Sequence, residues 1–232
     1  EALLGDLERL LYRQRLGRSV PAARAFEKAV LLAPGPGRDL EPRIMALALD
    51  GGDRDLARRS AARSVGPKAP PGTAALQVAA LMLKREDYLS AANELEGLLA
   101  EHPEHHQARL LLAQIMARVD RDADALTLLG EIPAQAEVHA DALRLRGLIA
   151  LAAGEPEAAV ARLAEAVLAR PDRPGLHRDH ARALRAAGRP AEAEGVLRDA
   201  VARWPHDPDL RFMAAMAAHD RGDEAGAMRG MQ

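Results

Sequence analysis

The sequence has no cysteine, which excludes disulfide staples, thiolate catalysis and cysteine-ligated zinc together. A cysteine-free chain also fits an oxidising envelope compartment better than the cytosol. Aromatic residues make up only 2% of the 232 positions, so an aromatic-centred β core has nothing to form around. Net charge is almost missing as well: 32 Lys+Arg stand against 34 Asp+Glu. Binding to nucleic acid by general counterion release is therefore not expected, and any such contact would need a local patch. Apolar runs such as Gly147 to Ala153 fall far short of the roughly 20 residues of a membrane-spanning helix. Lysine occurs only at Lys28, Lys68 and Lys84, an arginine bias expected of a GC-rich bacterial coding sequence. The chain opens on Glu1 rather than Met, so a leader or anchor removed upstream is expected.

Catalytic signatures are missing too. There is no G-x-x-x-x-G-K, no G-x-G-x-x-G after a strand, no G-x-S-x-G and no H-E-x-x-H. The chain is read as non-enzymatic, with no cofactor, no catalytic residue and no metal site.

What the sequence does have is alanine, and a period. Gly154, Ala159, Leu163, Ala166 and Pro171 recur as Gly188, Ala193, Leu197, Ala200 and Pro205, each 34 residues later. The alanine of a second helix appears at Ala57, Ala91, Ala125, Ala159 and Ala193; the leucine after it at Leu95, Leu129, Leu163 and Leu197. A small residue of a first helix appears at Ala79, Ala113, Gly147 and Ala181. Small side chains in strict phase let helix backbones approach where they cross, and the leucines fill the space beside them. A period of this length, with a turn glycine after one helix and a proline ending the next, is the mark of stacked helix pairs.

Turn chemistry follows the same phase. Gly52, Gly154, Gly188 and Gly222 stand where a helix ends in a left-handed residue, and Asp53, Asp120, Asp207 and Asp223 are expected to cap the helices that follow. Pro156, Pro190 and Pro208 fit first-turn positions. Earlier, Ser19 and Pro21 open a second helix, and the Pro34-Gly35-Pro36-Gly37 linker accounts for a one-residue slip in phase. The leucines of Glu1 to Gly17 exceed one apolar stripe, so something is expected to cover that segment. At the other end, Gly226 to Gly230 offers no polar capping helix, and the array is expected to continue or to have been cut. Pro133 is expected to shorten one second helix and bend the junction near 133–139.

These residues resemble the tetratricopeptide repeat (TPR) family. The resemblance implies an all-α, right-handed TPR-type α-solenoid forming a single domain over residues 1–232. Its repeats lie near 3–36, 38–71, 72–105, 106–139, 140–173 and 174–207, with a partial seventh at 208–232. Bulky aromatics common in the family's first helices are replaced here by Leu or Ala, and Glu137 stands where a terminal proline is expected. The resemblance implies a scaffold or adaptor that binds another protein. Two other roles of similar bacterial proteins stay open: handling an anionic exopolysaccharide during export, and serving as a periplasmic lipoprotein adaptor for a processing protease. Oligomeric state is not readable.

Three clusters mimic chemistry. Asp120, Asp122, Asp124 and Glu131 have the spacing of a calcium loop, but Ala125, a phase-locked alanine, replaces the essential glycine, so helix capping is the better reading. The groups His102, His105, His106 and His177, His180 match no established ligand spacing, and solvated histidines are expected.

In TPR-like arrays the first helices line the concave surface. The register puts Leu76, Ala80 and Leu83 there, then Leu110 and Gln114, then Arg144, Leu148 and Leu151, then Arg178, Arg182 and Arg185, then Phe212 and Met216. Arg178, Arg182 and Arg185 share one helix face, and Arg144 precedes Arg178 by one period. The expected ligand is a peptide or helix of another protein, acidic in part; the competing reading is solvated arginines paired with Asp172, Asp179 or Asp199. The family's lysine and asparagine clamp for a C-terminal carboxylate is not reproduced.

Overall fold

A computed structural model of the chain describes residues 19–32 and 40–220. The leucine-rich opening segment, the 34–37 linker and the tail carrying Gly222, Asp223 and Gly226 to Gly230 lie outside the described residues. The described residues form twelve helices and no strand. Two compact units divide them, one within residues 1–108 and one within 109–232.

The first unit contains α1 (Ser19–Leu32), α2 (Glu41–Asp50), α3 (Arg54–Val65), α4 (Thr73–Lys84) and α5 (Tyr88–Glu101). Next come α6 (His106–Arg118), α7 (Asp122–Gly130), α8 (His139–Ala152), α9 (Pro156–Ala169), α10 (Pro174–Ala186), α11 (Pro190–Arg203) and α12 (Pro208–Asp220). Sequence neighbours pack on one another from α1 to α5 in the first unit and from α7 to α12 in the second, and alternate helices also touch: α2 meets α4, α8 meets α10, and α10 meets α12. That is the contact pattern of stacked helix pairs, as the period implies.

Phase and burial coincide. Ala57, Ala91, Ala125, Ala159 and Ala193 are all 0% exposed, and Leu95, Leu129, Leu163 and Leu197 are 2% or less. Where α8 crosses α9, the small residue is Gly147. A Cβ there would lie 2.6 Å from Leu163 Cγ, so even alanine would force the buried leucine to move. Leu163, Leu184, Leu197 and Leu210 then join the phased alanines in one apolar cluster.

The turns inside the pairs are built one way. The residue after the left-handed position sends its N–H back across the helix end: Asp53 to Ala48 O, Asp87 to Met82 O, Arg121 to Met116 O, Glu155 to Ala150 O and Arg189 to Leu184 O, at 2.8 to 3.0 Å. This satisfies carbonyls that the helix leaves open. The same residue then stands at the N-cap of the next helix. Asp53 and Asp87 use it fully, their carboxylates accepting from Leu56 N and Ser90 N at 3.1 Å. Asp207 caps α12 likewise, accepting from Leu210 N at 3.0 Å. The Leu56 N–H, and then the Arg24 guanidinium, hold the Asp53 carboxyl below its usual range.

Asp120 departs from expectation. It does not cap α7; Arg121 holds that position without a side-chain bond, and Asp120 takes the left-handed turn itself at φ 59°. Glu86 does so at φ 60°. Both fall in the arithmetic series Gly52, Glu86, Asp120, Gly154, Gly188, so two non-glycine residues occupy a glycine's place. A left-handed backbone costs an L-residue roughly 1–2 kcal/mol, and glycine's extra freedom in the unfolded chain offsets part of that. Asp120→Gly and Glu86→Gly are therefore expected each to stabilise the fold by about 0.5–1 kcal/mol, read as a higher urea midpoint.

Second helices end where proline follows. His102, Arg170 and Trp204 have φ between −128° and −140° with ψ of 70° to 76°. Each precedes a proline, whose ring pushes its predecessor out of the helical region. In α7 that proline is absent from position 137 and Pro133 comes early, so the helix stops after 9 residues where α5, α9 and α11 each have 14.

Second helices in the first unit are also stitched by polar side chains one repeat apart. Arg58 makes a two-toothed pair with Glu94 at 2.6 and 2.9 Å, Arg54 donates to Ser90 Oγ at 2.6 Å, and Arg63 donates to Glu27 at 2.9 Å. Glu41, 1% exposed, receives Arg63 Nε at 2.7 Å, and Ser60 Oγ lies 2.7 Å from its carboxylate. Hydrogen bonding to Glu94 and to Glu41 raises the Arg58 and Arg63 guanidinium pKa values further.

Candidate functional site

The sequence-derived stripe falls on first helices, and each unit carries its own part. In the first unit it is α4, with Leu76 and Leu83 half-buried and Ala80 exposed. This part is uncharged. Exposed Lys84 ends the helix, and the next residue, Arg85, is turned away to Asp50 at 2.9 Å and to Ala46 O at 3.0 Å.

In the second unit the stripe runs over α6, α8, α10 and α12. Leu110 has to be removed from it: the side chain is 3% exposed, spent on packing and closed to a partner. Gln114 is exposed, Leu148 and Leu151 are half-buried, and Leu151 backs onto the apolar cluster. Phe212 is 59% exposed on α12, with Met216 one turn further and half-buried.

The arginines are mostly neutralised from within. Arg144 on α8 donates Nε to Asp179 Oδ2 on α10 at 2.5 Å, and Asp179 is only 6% exposed. Arg178 on α10 donates to Asp209 on α12 and lies 4.0 Å from the second oxygen of Asp179. Arg185 also has a partner. Of the four, Arg182 alone is exposed with no carboxylate in reach among the described residues. Of the aspartates named in the competing reading, Asp179 takes Arg144, while Asp172 takes Arg170 at 3.1 Å, away from the stripe. Asp209 escaped the sequence reading, although a signal existed. It lies 68 residues, two periods, after Asp141, which pairs with Arg173 at 2.6 Å.

Asp124 is held by Arg121 at 2.6 Å and Glu131 by Arg109 at 3.0 Å, so the calcium-spaced carboxylates do not converge. No group of three or more His, Asp or Glu with metal-binding geometry exists among the described residues. His102 lies 3.7 Å from Glu104, and His105 Nδ1 accepts from Ala108 N at 3.4 Å, as a cap would. His177 faces Trp204 with ring centroids 5.1 Å apart. His180 is half-buried, and burial, reinforced by His177 and Arg189, pushes its imidazole below the ordinary histidine range. In the first unit a cleft of about 470 Å³ opens between α3, α4 and α5, but its main polar groups, Arg58 and Glu94, already satisfy each other.

Tetratricopeptide repeat family models match residues 82–149 and again residues 174–217. The chain is a tetratricopeptide repeat protein. Solved TPR structures share its fold. Pseudomonas aeruginosa PilF is similar with a TM-score of 0.61 at 15% identity, over 83% of this chain and 88% of that one. A TPR protein from Parabacteroides merdae gives 0.59 at 14% identity, over 98% and 90%. TTC0263, a thermophilic TPR protein of Thermus thermophilus, gives 0.57 at 23% identity, over 78% and 98%. At these identities the likeness is one of fold. No curated protein matches the sequence. A TPR array is in general a protein-interaction scaffold, and typically not an enzyme. No helix among the described residues is long and apolar enough to cross a membrane.

Proposed function

We propose that the first-helix face of the second unit holds a segment of another protein, apolar along one side and acidic at one or two points. One observation carries this reading. Phe212, 59% exposed, lies on α12 one turn before the half-buried Met216, and Met216 continues a 34-residue series through Leu148 on α8 and the uncompensated Arg182 on α10. An apolar surface with one cation at its centre suits a peptide with alternating apolar and acidic side chains. Covering the part of Phe212 that is still exposed would add roughly 1–2 kcal/mol. In the first unit, the uncharged Leu76 and Leu83 surface would receive apolar groups only.

An anionic polysaccharide is disfavoured by the same geometry. Polyanion binding needs several available cations, and internal partners hold Arg144 on a buried carboxylate and engage Arg185, which leaves at most Arg178 and Arg182. An adaptor for a processing enzyme would use the same face as any other adaptor.

The test is panning of a random 16-residue phage-displayed peptide library on the full chain. Enriched peptides are expected to bind through the face, so that Phe212→Ala, at an exposed position, weakens them at least tenfold without changing the melting temperature. Binding that ignores Phe212→Ala, or collapses with added salt as polyanion binding does, would refute the reading.

A further inference from the structure

Three of the four stripe arginines are engaged, but their partners are not alike. Asp179, which takes Arg144, has a side chain 8% exposed and lies between Arg144 and Arg178. Pulling it away would strand a carboxylate in a poorly solvated place, so this pair is structural. Asp209, which takes Arg178, has a side chain 65% exposed, in the first turn of α12 and next to the cap Asp207. Water replaces its partner at little cost, because an exposed ion pair contributes only a fraction of a kcal/mol to about 1 kcal/mol. Arg178 is thus held by a ligand that another carboxylate could exchange for.

We propose that Asp209 is an internal stand-in for a partner's carboxylate: it occupies Arg178 until an acidic side chain of the bound segment, aligned by the free Arg182, displaces it. The idea rests on the peptide reading above and adds a spacing rule to it. Arg178 and Arg182 are four residues apart on α10, about 6 Å along the helix axis. Two carboxylates match that spacing when they sit at i and i+2 of an extended segment, or at i and i+4 of a helix. The preferred partner therefore carries Asp/Glu-x-Asp/Glu in extended form, or two acidic residues one helical turn apart, beside apolar residues for Phe212 and Met216. One acidic residue would meet Arg182 alone, and the second must compete with Asp209.

The experiment uses the 16-residue peptides recovered by panning and measures their affinity for variants of the full chain by fluorescence anisotropy, with circular dichroism checking the fold. Asp209→Asn is expected to tighten binding about two- to fivefold, the range of a broken exposed ion pair. In an Arg178→Gln background that gain should vanish, because Asp209 then has nothing to withhold. Arg182→Gln should weaken binding at least fivefold. Asp172→Asn, which removes one negative charge away from the face, is the control. Equal tightening by Asp172→Asn would show a general charge effect and overturn the proposal. Unchanged or weaker binding to Asp209→Asn would overturn it too. Peptides that depend on Phe212 but show no enrichment in acidic pairs would defeat the stand-in while leaving the face as a peptide site. No enrichment above an unrelated protein would defeat both.

Discussion

Ala159→Leu is expected to destabilise the second unit by about 1–3 kcal/mol, the range for added methylenes in a packed core. Ala159 is 0% exposed, one turn before the equally buried Leu163 and in the cluster with Ala181 and Leu184. A leucine there would have to push α9 away from its neighbours. On the same helix Ala158 and Ala161 are exposed, and Ala158→Leu or Ala161→Leu should change stability by no more than about 0.5 kcal/mol. Urea titration of the three variants, followed by circular dichroism at 222 nm, separates them. Equal midpoints would mean that phase and packing are unrelated in this chain.

That contrast was readable before any coordinates, because position within a 34-residue period decides which alanine faces a crossing and which faces water. The same arithmetic could have found Glu86 and Asp120, since both fall in the series running from Gly52 to Gly188. Residue type hid them: an aspartate before a helix reads as a cap, and the cap lay one residue later, at Arg121. The stripe was legible to the same depth. Register placed Arg144, Arg178, Arg182 and Phe212 on first helices, but it said nothing of Asp209, because which carboxylate a long guanidinium reaches depends on rotamers across two helices. Leu110 failed for a related reason: a stripe position implies direction, not exposure, and its side chain is 3% exposed.

Glu41→Ala is expected to cost the first unit about 2–4 kcal/mol. Removing one partner of a buried ion pair typically costs 3–5 kcal/mol, and the cost is smaller here because the Arg63 side chain is 26% exposed and keeps Glu27 at 2.9 Å. The loss has two parts. Arg63 is left without its carboxylate at 2.7 Å, and a hole opens beside Ser60. Replacing the group together, as Glu41→Leu, Ser60→Ala and Arg63→Leu, should recover most of it, since apolar side chains of similar volume serve as well as a buried ionic cluster. By comparison Glu165→Ala, which breaks an exposed pair with Arg162 three residues away, should cost less than about 0.5 kcal/mol. Thermal melts of the single and triple variants decide it. A triple variant as unstable as Glu41→Ala would show that the charges themselves are needed.

The second-helix stitching in the first unit means that its repeats are interchangeable in backbone but not in order. Excising residues 38–71 would keep the 34-residue phase, yet Glu27 would then meet Asn93 and Gly97 where Arg59 and Arg63 now stand. Side chains act here as an address label, each written to be read by the next repeat along. Duplication or loss of a repeat would leave the helix-on-helix packing standing while its labels no longer agreed, so a newly copied repeat would start life poorly fastened and gain its place only by later substitution at those few contact points.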